Sequence, residues 1–261
     1  MNTLFWENSP IAYHIDTAAN TEWVCFLHAA FVNSDMFKTQ FDYFKGKYNL
    51  LAIDILGHGK SLTATKSDSI EKMSDWINQI FIKHKISAAH FVGVSLGSVF
   101  IQDFANKYDE KVLSLACFGG YNINDFDFKR QKANSKGQMK MMLKAMFSIK
   151  WFAKENKKIS AYTEQAKDEF YKLNIQFNKK SFIYLAKLNK LINRFPNKKR
   201  RYPLLIGCGE FDIPMELEIV NEWASKENCQ HAIIQEAGHC CNMDNSKMFN
   251  TILEEFWNQR Q

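Results

Sequence analysis

The feature that most constrains the fold is the segment of residues 93–97, with the sequence Gly-Val-Ser-Leu-Gly. A strand-like apolar run from His90 precedes it, and a helical pattern that continues to Ala105 follows it. Glycines two residues before and two residues after Ser95 let a sharp turn bring strand and helix together without collisions between Cβ atoms. The N–H groups at the start of the helix favour negative charge beside the serine. The segment therefore predicts a strand–turn–helix unit with a serine at its tip, although an ordinary glycine-bounded turn has the same pattern.

Strand-like runs alternate with helical patterns along most of the chain, which predicts a mainly parallel sheet with helices on both faces. The first two runs flank Pro10 and indicate an antiparallel hairpin. In such sheets, ligands bind beyond the carboxyl ends of the strands. The predicted strands comprise residues 4–7, 11–15, 23–27, 48–54, 90–94, 112–118, 202–209 and 231–234.

The alternation stops after residue 120, and residues 125–195 contain helical patterns of Met, Phe and Leu, the first from Met139, with almost no Gly or Pro. We predict a core domain of residues 1–120 and 201–261, and a helical cap of residues 121–200. The cap holds 20 Lys/Arg against 6 Asp/Glu. Because the lysines are spread around helices rather than clustered, we interpret them as a solvated face and predict no nucleic-acid partner.

The composition predicts a soluble globular protein, with 46% hydrophobic and 24% charged residues in 261. The N-terminus lacks the basic and apolar regions of a signal peptide, and no apolar run approaches the ~18 residues of a membrane span. Six cysteines are present without a Cys-x-x-Cys pair. They indicate reduced, buried thiols in a cytoplasmic protein. No metal, cofactor or stable membrane insertion is predicted.

A serine hydroxyl becomes a useful nucleophile only when a base takes its proton and a third group holds that base. Asp212 and His239 each follow a predicted strand, so both are expected at the same sheet edge as Ser95. Alternatives remain, because Asp212 is also placed to cap the helix that begins at Pro214. The rival acids are Asp125, Asp127 and Asp244, and Asp244 or its neighbour Asn245 is expected to cap the last helix.

This order of motifs resembles the α/β-hydrolase family, in its capped single-domain form. The motifs are Leu27-His28, the turn from Asp54 to Ser61 (Asp-Ile-Leu-Gly-His-Gly-Lys-Ser), residues 93–97, the Gly209-to-Asp212 turn and Ala237-Gly238-His239. The resemblance implies the α/β-hydrolase fold, with a mostly parallel eight-stranded sheet, helices on both faces and an inserted helical cap.

The resemblance also implies roles for single residues. Ser95 is the expected nucleophile, His239 the general base and then acid, and Asp212 the acid that orients the histidine. The backbone N–H groups of Ala30 and Leu96 are the expected oxyanion hole. Members of the family usually have His-Gly where this chain has His-Ala at residues 28–29, so the turn that carries Ala30 departs from the family's pattern. His28 and His58 are expected to pack turns rather than to react.

We therefore predict a serine hydrolase that cleaves a small-to-medium, partly apolar carboxylic ester through an acyl-enzyme. Relatives with aspartate in the turn are excluded, because this chain has Ser95 there. The alternatives use the same three residues for carbon–carbon bond hydrolysis, lactone opening, acyl transfer or a lyase step like that of menaquinone synthesis. A non-catalytic ligand receptor is a further alternative. The candidate partners are a small ester or acyl substrate and a second copy of the chain.

Overall fold

The structure is a computed structural model that describes residues 3–5, 9–18, 21–61, 68–128, 143–196 and 198–259. The predicted hairpin turn lies partly outside these residues, as does the start of the cap helix predicted from Met139. Within the described ranges, every helix is too short or too polar to cross a lipid bilayer.

An eight-stranded sheet with the order β1-β2-β4-β3-β5-β6-β7-β8 forms the centre of the described molecule. The strand β2 pairs antiparallel with β1 and with β4, and all other neighbours pair parallel. The predicted α/β class and the mostly parallel sheet are therefore confirmed. The strands are β1 (Thr3–Phe5), β2 (Ala12–Asp16), β3 (Trp23–Leu27), β4 (Asn49–Ile53), β5 (Ala89–Val94), β6 (Val112–Phe118), β7 (Leu204–Gly209) and β8 (Gln230–Ile234).

Helices connect the strands, and short 3-10 turns precede or join several of them. The α-helices of the described residues include α1 (Lys38–Phe44), α2 (Met73–Lys83), α3 (Leu96–Lys107), α4 (Ile149–Ser160), α5 (Glu164–Asn174), α6 (Phe182–Leu185), α7 (Pro214–Glu227), α8 (Cys241–Asp244) and α9 (Ser246–Asn258). Residues 143–147 are also helical.

The sheet is covered on both faces, so its central strands are apolar at nearly every position. All six residues of β5 are buried. Alternate side chains enter two separate cores: Cys25 of β3 packs with Trp76 and Phe100 on one face, and Phe26 packs with Phe41 and Phe249 on the other. This two-sided burial fixes the positions of the loops that follow the strands, which is where the expected functional residues lie.

The described part of the segment between β6 and β7, called the insertion below, packs on the carboxyl ends of the strands. Tyr184 of α6 lies so close to Gly57 that a Cβ atom there would be 2.7 Å from its ring. Phe170 of α5 enters the same core as Ala29 and Met36. The helices of the insertion thus sit on the loops after β3 and β4. The domain limits of residues 121 and 200 stay a prediction.

Candidate active site

Ser95 occupies a strained turn between β5 and α3. Its backbone has φ +53° and ψ −113°, a conformation that side-chain-bearing residues rarely adopt, and its N–H donates to the carbonyl of Phe118 at 2.7 Å. A Cβ atom on Gly93 would lie 2.6 Å from the carbonyl carbon of Gly97, and one on Gly97 would lie 1.9 Å from the carbonyl oxygen of Leu27. Both glycines are therefore required for the close approach that the sequence predicts.

Asp212 and His239 form a buried pair at the ends of β7 and β8. The Nδ1–H of His239 donates to both carboxylate oxygens of Asp212 at 3.1 Å. The Asp212 side chain is fully buried, and the His239 side chain is 22% exposed. Asp212 also accepts the N–H of Ile213 at 2.8 Å, but the N-cap position of α7 is Ile213 itself. This arrangement assigns Nδ1 to the carboxylate and leaves Nε2 as the ring nitrogen with a free lone pair when the ring is neutral.

Ser95 and His239 both lie beside Gly119, at the end of β6. The register of β5 and β6 pairs Val94 with Phe118, which places Ser95 beside Gly119. A Cβ atom on Gly119 would lie 3.0 Å from Cε1 of His239, so the imidazole lies directly over this glycine. The structure therefore places Ser95, Asp212 and His239 at the carboxyl edge of the sheet, with Asp212 and His239 hydrogen-bonded to each other.

A second acid, Glu216, lies close enough to Asp212 and His239 for their charges to affect its pKa. It belongs to the first turn of α7, is 8% exposed, and its Oε2 has no hydrogen-bond partner among the described residues. Burial raises the pKa of Glu216 to about 7, with the charge of His239 opposing and the charge of Asp212 adding to the shift. The sequence analysis missed this residue, because an acid in the first turn of a helix is ordinarily an exposed partner of the helix dipole.

The pKa of His239 reflects this acidic surrounding. Burial is the largest single influence and lowers it, but the charge of Asp212, the hydrogen bond to it and the charge of Glu216 together outweigh burial and raise the pKa to about 9. The charges of Asp212 and Glu216 therefore favour the imidazolium over the neutral imidazole that can accept a proton.

The two backbone N–H groups expected to stabilise negative charge belong to Leu96 and Ala30. Leu96 is the first residue of α3, so its N–H has no acceptor within the helix. Ala30 lies in the turn after β3, followed by Phe31 at φ +70°. The Nδ2 of Asn174 in α5 donates to the carbonyl of Phe31 at 3.1 Å, so a helix of the insertion ties this turn down. The sequence carries no signal for the unusual φ of a phenylalanine or for its contact with Asn174.

Two of the rival acids, Asp125 and Asp244, have other partners in the structure. Asp125 forms an exposed ion pair with Lys226 at 2.9 Å. Asp244 accepts the N–H of Gly238 at 2.9 Å, and the side chain that caps the last helix is that of Asn245, which accepts the N–H of Met248 at 3.1 Å. The prediction of the N-cap of the last helix is therefore right for Asn245 and wrong for Asp244.

The other histidines near this edge are packed into turns. His28 is fully buried, its Nδ1–H donates to the carbonyl of Ala29 at 2.7 Å, and its Nε2 accepts the N–H of Ile55 at 2.9 Å. His58 is 1% exposed, and burial together with the neighbouring His28 lowers its pKa to about 3. Its ring centroid is 5.1 Å from that of Phe177. Both histidines are neutral and join turns, as the sequence suggests.

The thiols beside His239 are poor candidates for reactive groups. Cys240 and Cys241 are both fully buried, and burial raises the pKa of each well above the ordinary value. A thiolate, the reactive form, is thereby disfavoured.

A family model for the alpha/beta hydrolase fold matches residues 22–246. A carboxylesterase of Bacillus subtilis (strain 168), named as uncharacterized, is 30% identical over 91 residues, which are 34% of this chain and 30% of that protein. The acetyltransferase component of the acetoin cleaving system of Cupriavidus necator is 27% identical over 104 residues, or 40% of this chain and 28% of that one. The matched segments therefore span less than a third of either curated relative.

Solved structures share the fold across nearly the whole chain. A carboxylesterase structure from Nitrososphaera gargenis has a TM-score of 0.81 at 14% identity and covers 98% of this chain and 97% of its own. A thermophilic esterase from Thermogutta terrifontis has a TM-score of 0.77 at 15% identity, covering 95% and 94%. The enol-lactonase from Burkholderia xenovorans LB400 has a TM-score of 0.77 at 16% identity, covering 95% and 96%. At these identities the likeness establishes a common fold.

Proposed function

The chain belongs to the alpha/beta hydrolase fold family, and from this premise we propose that it is a serine hydrolase acting on small-to-medium, partly apolar carboxylic esters. The observation that carries the proposal is the pair of Asp212 and His239, hydrogen-bonded at 3.1 Å and placed over the glycine beside Ser95. A nucleophile, a base and a group that holds the base are the minimum that acyl transfer to serine requires.

In the proposed reaction, Ser95 Oγ attacks the ester carbonyl while the neutral Nε2 of His239 takes the hydroxyl proton. The oxyanion that forms accepts hydrogen bonds from the N–H groups of Leu96 and Ala30. His239 then gives its proton to the departing alkoxide, which leaves as the alcohol and leaves an acyl group on Ser95. A water molecule then attacks the acyl group on Ser95, with His239 again acting as the base, and the carboxylic acid is released. Asp212 holds the ring and stabilises the imidazolium throughout.

The surroundings of Ala30 support a substrate with an apolar part. Phe31, the next residue, packs edge-to-face against Phe152 of α4 and Phe177, with ring centroids 4.9 and 5.2 Å apart. Phe182 of α6 contributes a third ring, 5.8 Å from that of Phe31. The names of the carboxylesterase and esterase relatives point to esters as the substrate class.

The test is hydrolysis of p-nitrophenyl esters from acetate to octanoate by the parent protein and by Ser95→Ala. We expect turnover by the parent and at least a 10⁴-fold lower kcat for the variant, because loss of the nucleophile removes most of the acceleration in enzymes of this type. A folded parent that hydrolyses none of these esters contradicts ester hydrolysis. Lactones, thioesters and vinylogous diketones in the same panel then distinguish the other reactions that the three residues can support.

A further inference from the structure

The backbone on both sides of His239 is held by hydrogen bonds from outside its own loop. The N–H of Gly238 donates to Oδ2 of Asp244 at 2.9 Å. The N–H of Cys240 donates to the carbonyl of Ser160, the last residue of α4 in the insertion, at 2.7 Å. His239 therefore lies between two residues whose backbone is held in place. Gly238 is held by the carboxylate of Asp244, and Cys240 is held by the insertion.

The carboxylate of Asp244 also binds the insertion itself. It accepts the N–H of Tyr162 at 3.0 Å with each oxygen, and its Oδ1 accepts the N–H of Thr163 at 2.7 Å and the hydroxyl of Thr163 at 2.9 Å. One side chain thus joins the histidine loop to the link between α4 and α5. Charge-assisted hydrogen bonds to backbone N–H groups are among the stronger ones in proteins.

The two segments touch along their backbones as well. A Cβ atom on Gly238 would lie 3.1 Å from the nitrogen of Tyr162 and 3.2 Å from the carbonyl carbon of Ala161. The ring of Tyr162 stacks on that of Phe211, with centroids 4.2 Å apart and planes at 13°. Phe211 immediately precedes Asp212, so the same link contacts both loops that carry the acid and the base.

We propose that Asp244 is a positioning residue, which uses the 160–163 link of the insertion to hold His239 in register with Ser95. The inference rests on the proposed function and extends it, because it makes the insertion part of the machinery that orients the base. On this view the insertion remains attached to the histidine loop throughout turnover, and any opening for substrate occurs elsewhere along its length.

A misplaced base slows every acyl transfer alike, whereas an altered acyl pocket affects long substrates most. We therefore expect Asp244→Ala to lower kcat by about 10- to 100-fold, the loss that a misplacement of about 1 Å can cause. The factor should be the same for p-nitrophenyl acetate and octanoate, with KM within about threefold. Asp244→Asn, which keeps one acceptor oxygen, should fall between the parent and Asp244→Ala.

The matched control is Asp168→Asn, which removes an exposed carboxylate from α5, where it pairs with Lys157 at 2.7 Å. It should retain the parent kcat within about twofold, as expected for exposed ion pairs. Gly238→Ala tests the same junction with Asp244 intact, because the added methyl group pushes the link away from the histidine loop. If Asp244→Ala does not fold, Gly238→Ala serves as the test of the positioning role.

A readout independent of ester chemistry separates failure of this inference from failure of the proposed function. The downfield proton resonance of His239 Nδ1–H, identified by its loss in His239→Gln, should shift or broaden in Asp244→Ala and stay unchanged in Asp168→Asn. An inactive parent whose resonance nevertheless responds in this way refutes ester hydrolysis and upholds the positioning role. Parent-like kcat and an unmoved resonance in folded Asp244→Ala and Gly238→Ala overturn the positioning role, as does an effect on KM that grows with acyl length.

Discussion

His239 and His58 both follow a glycine in a loop at the carboxyl edge of the sheet, yet the molecule gives them opposite properties. His239 bonds the carboxylate of Asp212, is 22% exposed at its side chain and has a pKa raised to about 9. His58 is buried, has no partner for Nε2 among the described residues, and has a pKa lowered to about 3. The partner of a histidine, rather than its place in the sequence, thus decides whether it carries a proton or packs a turn.

The same substitution at both positions should separate these roles most strongly. We expect His239→Gln to lower kcat by about 10⁴- to 10⁶-fold, because the proposed base is lost. His58→Gln should keep kcat within about threefold but unfold several degrees lower, because a buried amide without partners costs about 1–3 kcal/mol. Steady-state kinetics and calorimetry on the two variants check this. An equal loss of activity in the two variants would contradict the assignment of different roles to His239 and His58.

The carboxylate behind His239 should matter nearly as much as the ring. Asp212→Asn is expected to lower kcat by about 10⁴-fold, because an amide can hold the imidazole in the wrong tautomer and cannot stabilise the imidazolium. The control is Asp125→Asn, at a rival acid whose exposed ion pair with Lys226 contributes little. If Asp125→Asn and not Asp212→Asn impaired turnover, the orienting acid would have been misidentified.

The raised pKa of His239 predicts an unusual pH profile. Only the neutral ring can act as base, so kcat/KM should rise about tenfold per pH unit and level off near pH 9. Glu216→Gln removes one of the negative charges that raise this pKa and should move the plateau to lower pH. Rates corrected with Ser95→Ala as the blank provide the measurement. A profile that already levels off at pH 6 in the parent would contradict the acidic surroundings described for His239.

Stability should respond to pH in opposite directions at the two histidines. The pKa of His239 is higher in the folded protein than the unfolded value of about 6.5, so its stabilisation is complete below that pH and is lost as pH rises towards 9. The pKa of His58 is lower when folded, so stability is lost as pH falls from about 6.5 towards 3. Tm measured across pH should therefore flatten on the alkaline side in His239→Gln and on the acid side in His58→Gln. Parallel curves for parent and variants would count against both assignments.

The smallest expected effect concerns Glu216. Its pKa is raised to about 7, so the folded state favours the protonated acid and loses stability above the unfolded value of about 4.5. Glu216→Gln should therefore raise Tm at pH 8 and leave it nearly unchanged at pH 4. A variant that is less stable than the parent at pH 8 would show that the carboxylate has a partner there.

The sequence allowed prediction of those features that depend on local geometry. Ser95 needs glycines on both sides wherever this turn occurs, and Asp212 and His239 follow strands whose apolar runs are easily recognised. The sheet class follows from the alternation of strands and helices for the same reason. Each of these strands, helices and turns depends on residues that are neighbours in the sequence.

Features that depend on contacts between distant segments could not be predicted. From the sequence, both Asp244 and Asn245 are candidates for the cap of the last helix, and only the folded chain brings residues 162 and 163 to the carboxylate of Asp244. Glu216 has the local pattern of an exposed acid, and its burial depends on how α7 packs. Phe31 has a positive φ that nothing in its neighbourhood requires, and its hydrogen bond comes from Asn174, 143 residues away.

The central claim is that Ser95 is a nucleophile activated by His239. Its most direct test is reaction with a fluorophosphonate, followed by mass spectrometry of the peptides. We predict one phosphonate per chain, bound to Ser95, no adduct in Ser95→Ala and much slower labelling of His239→Gln than of His58→Gln. A folded protein that hydrolyses esters yet carries the phosphonate on another residue, or reacts equally fast without His239, would contradict the account.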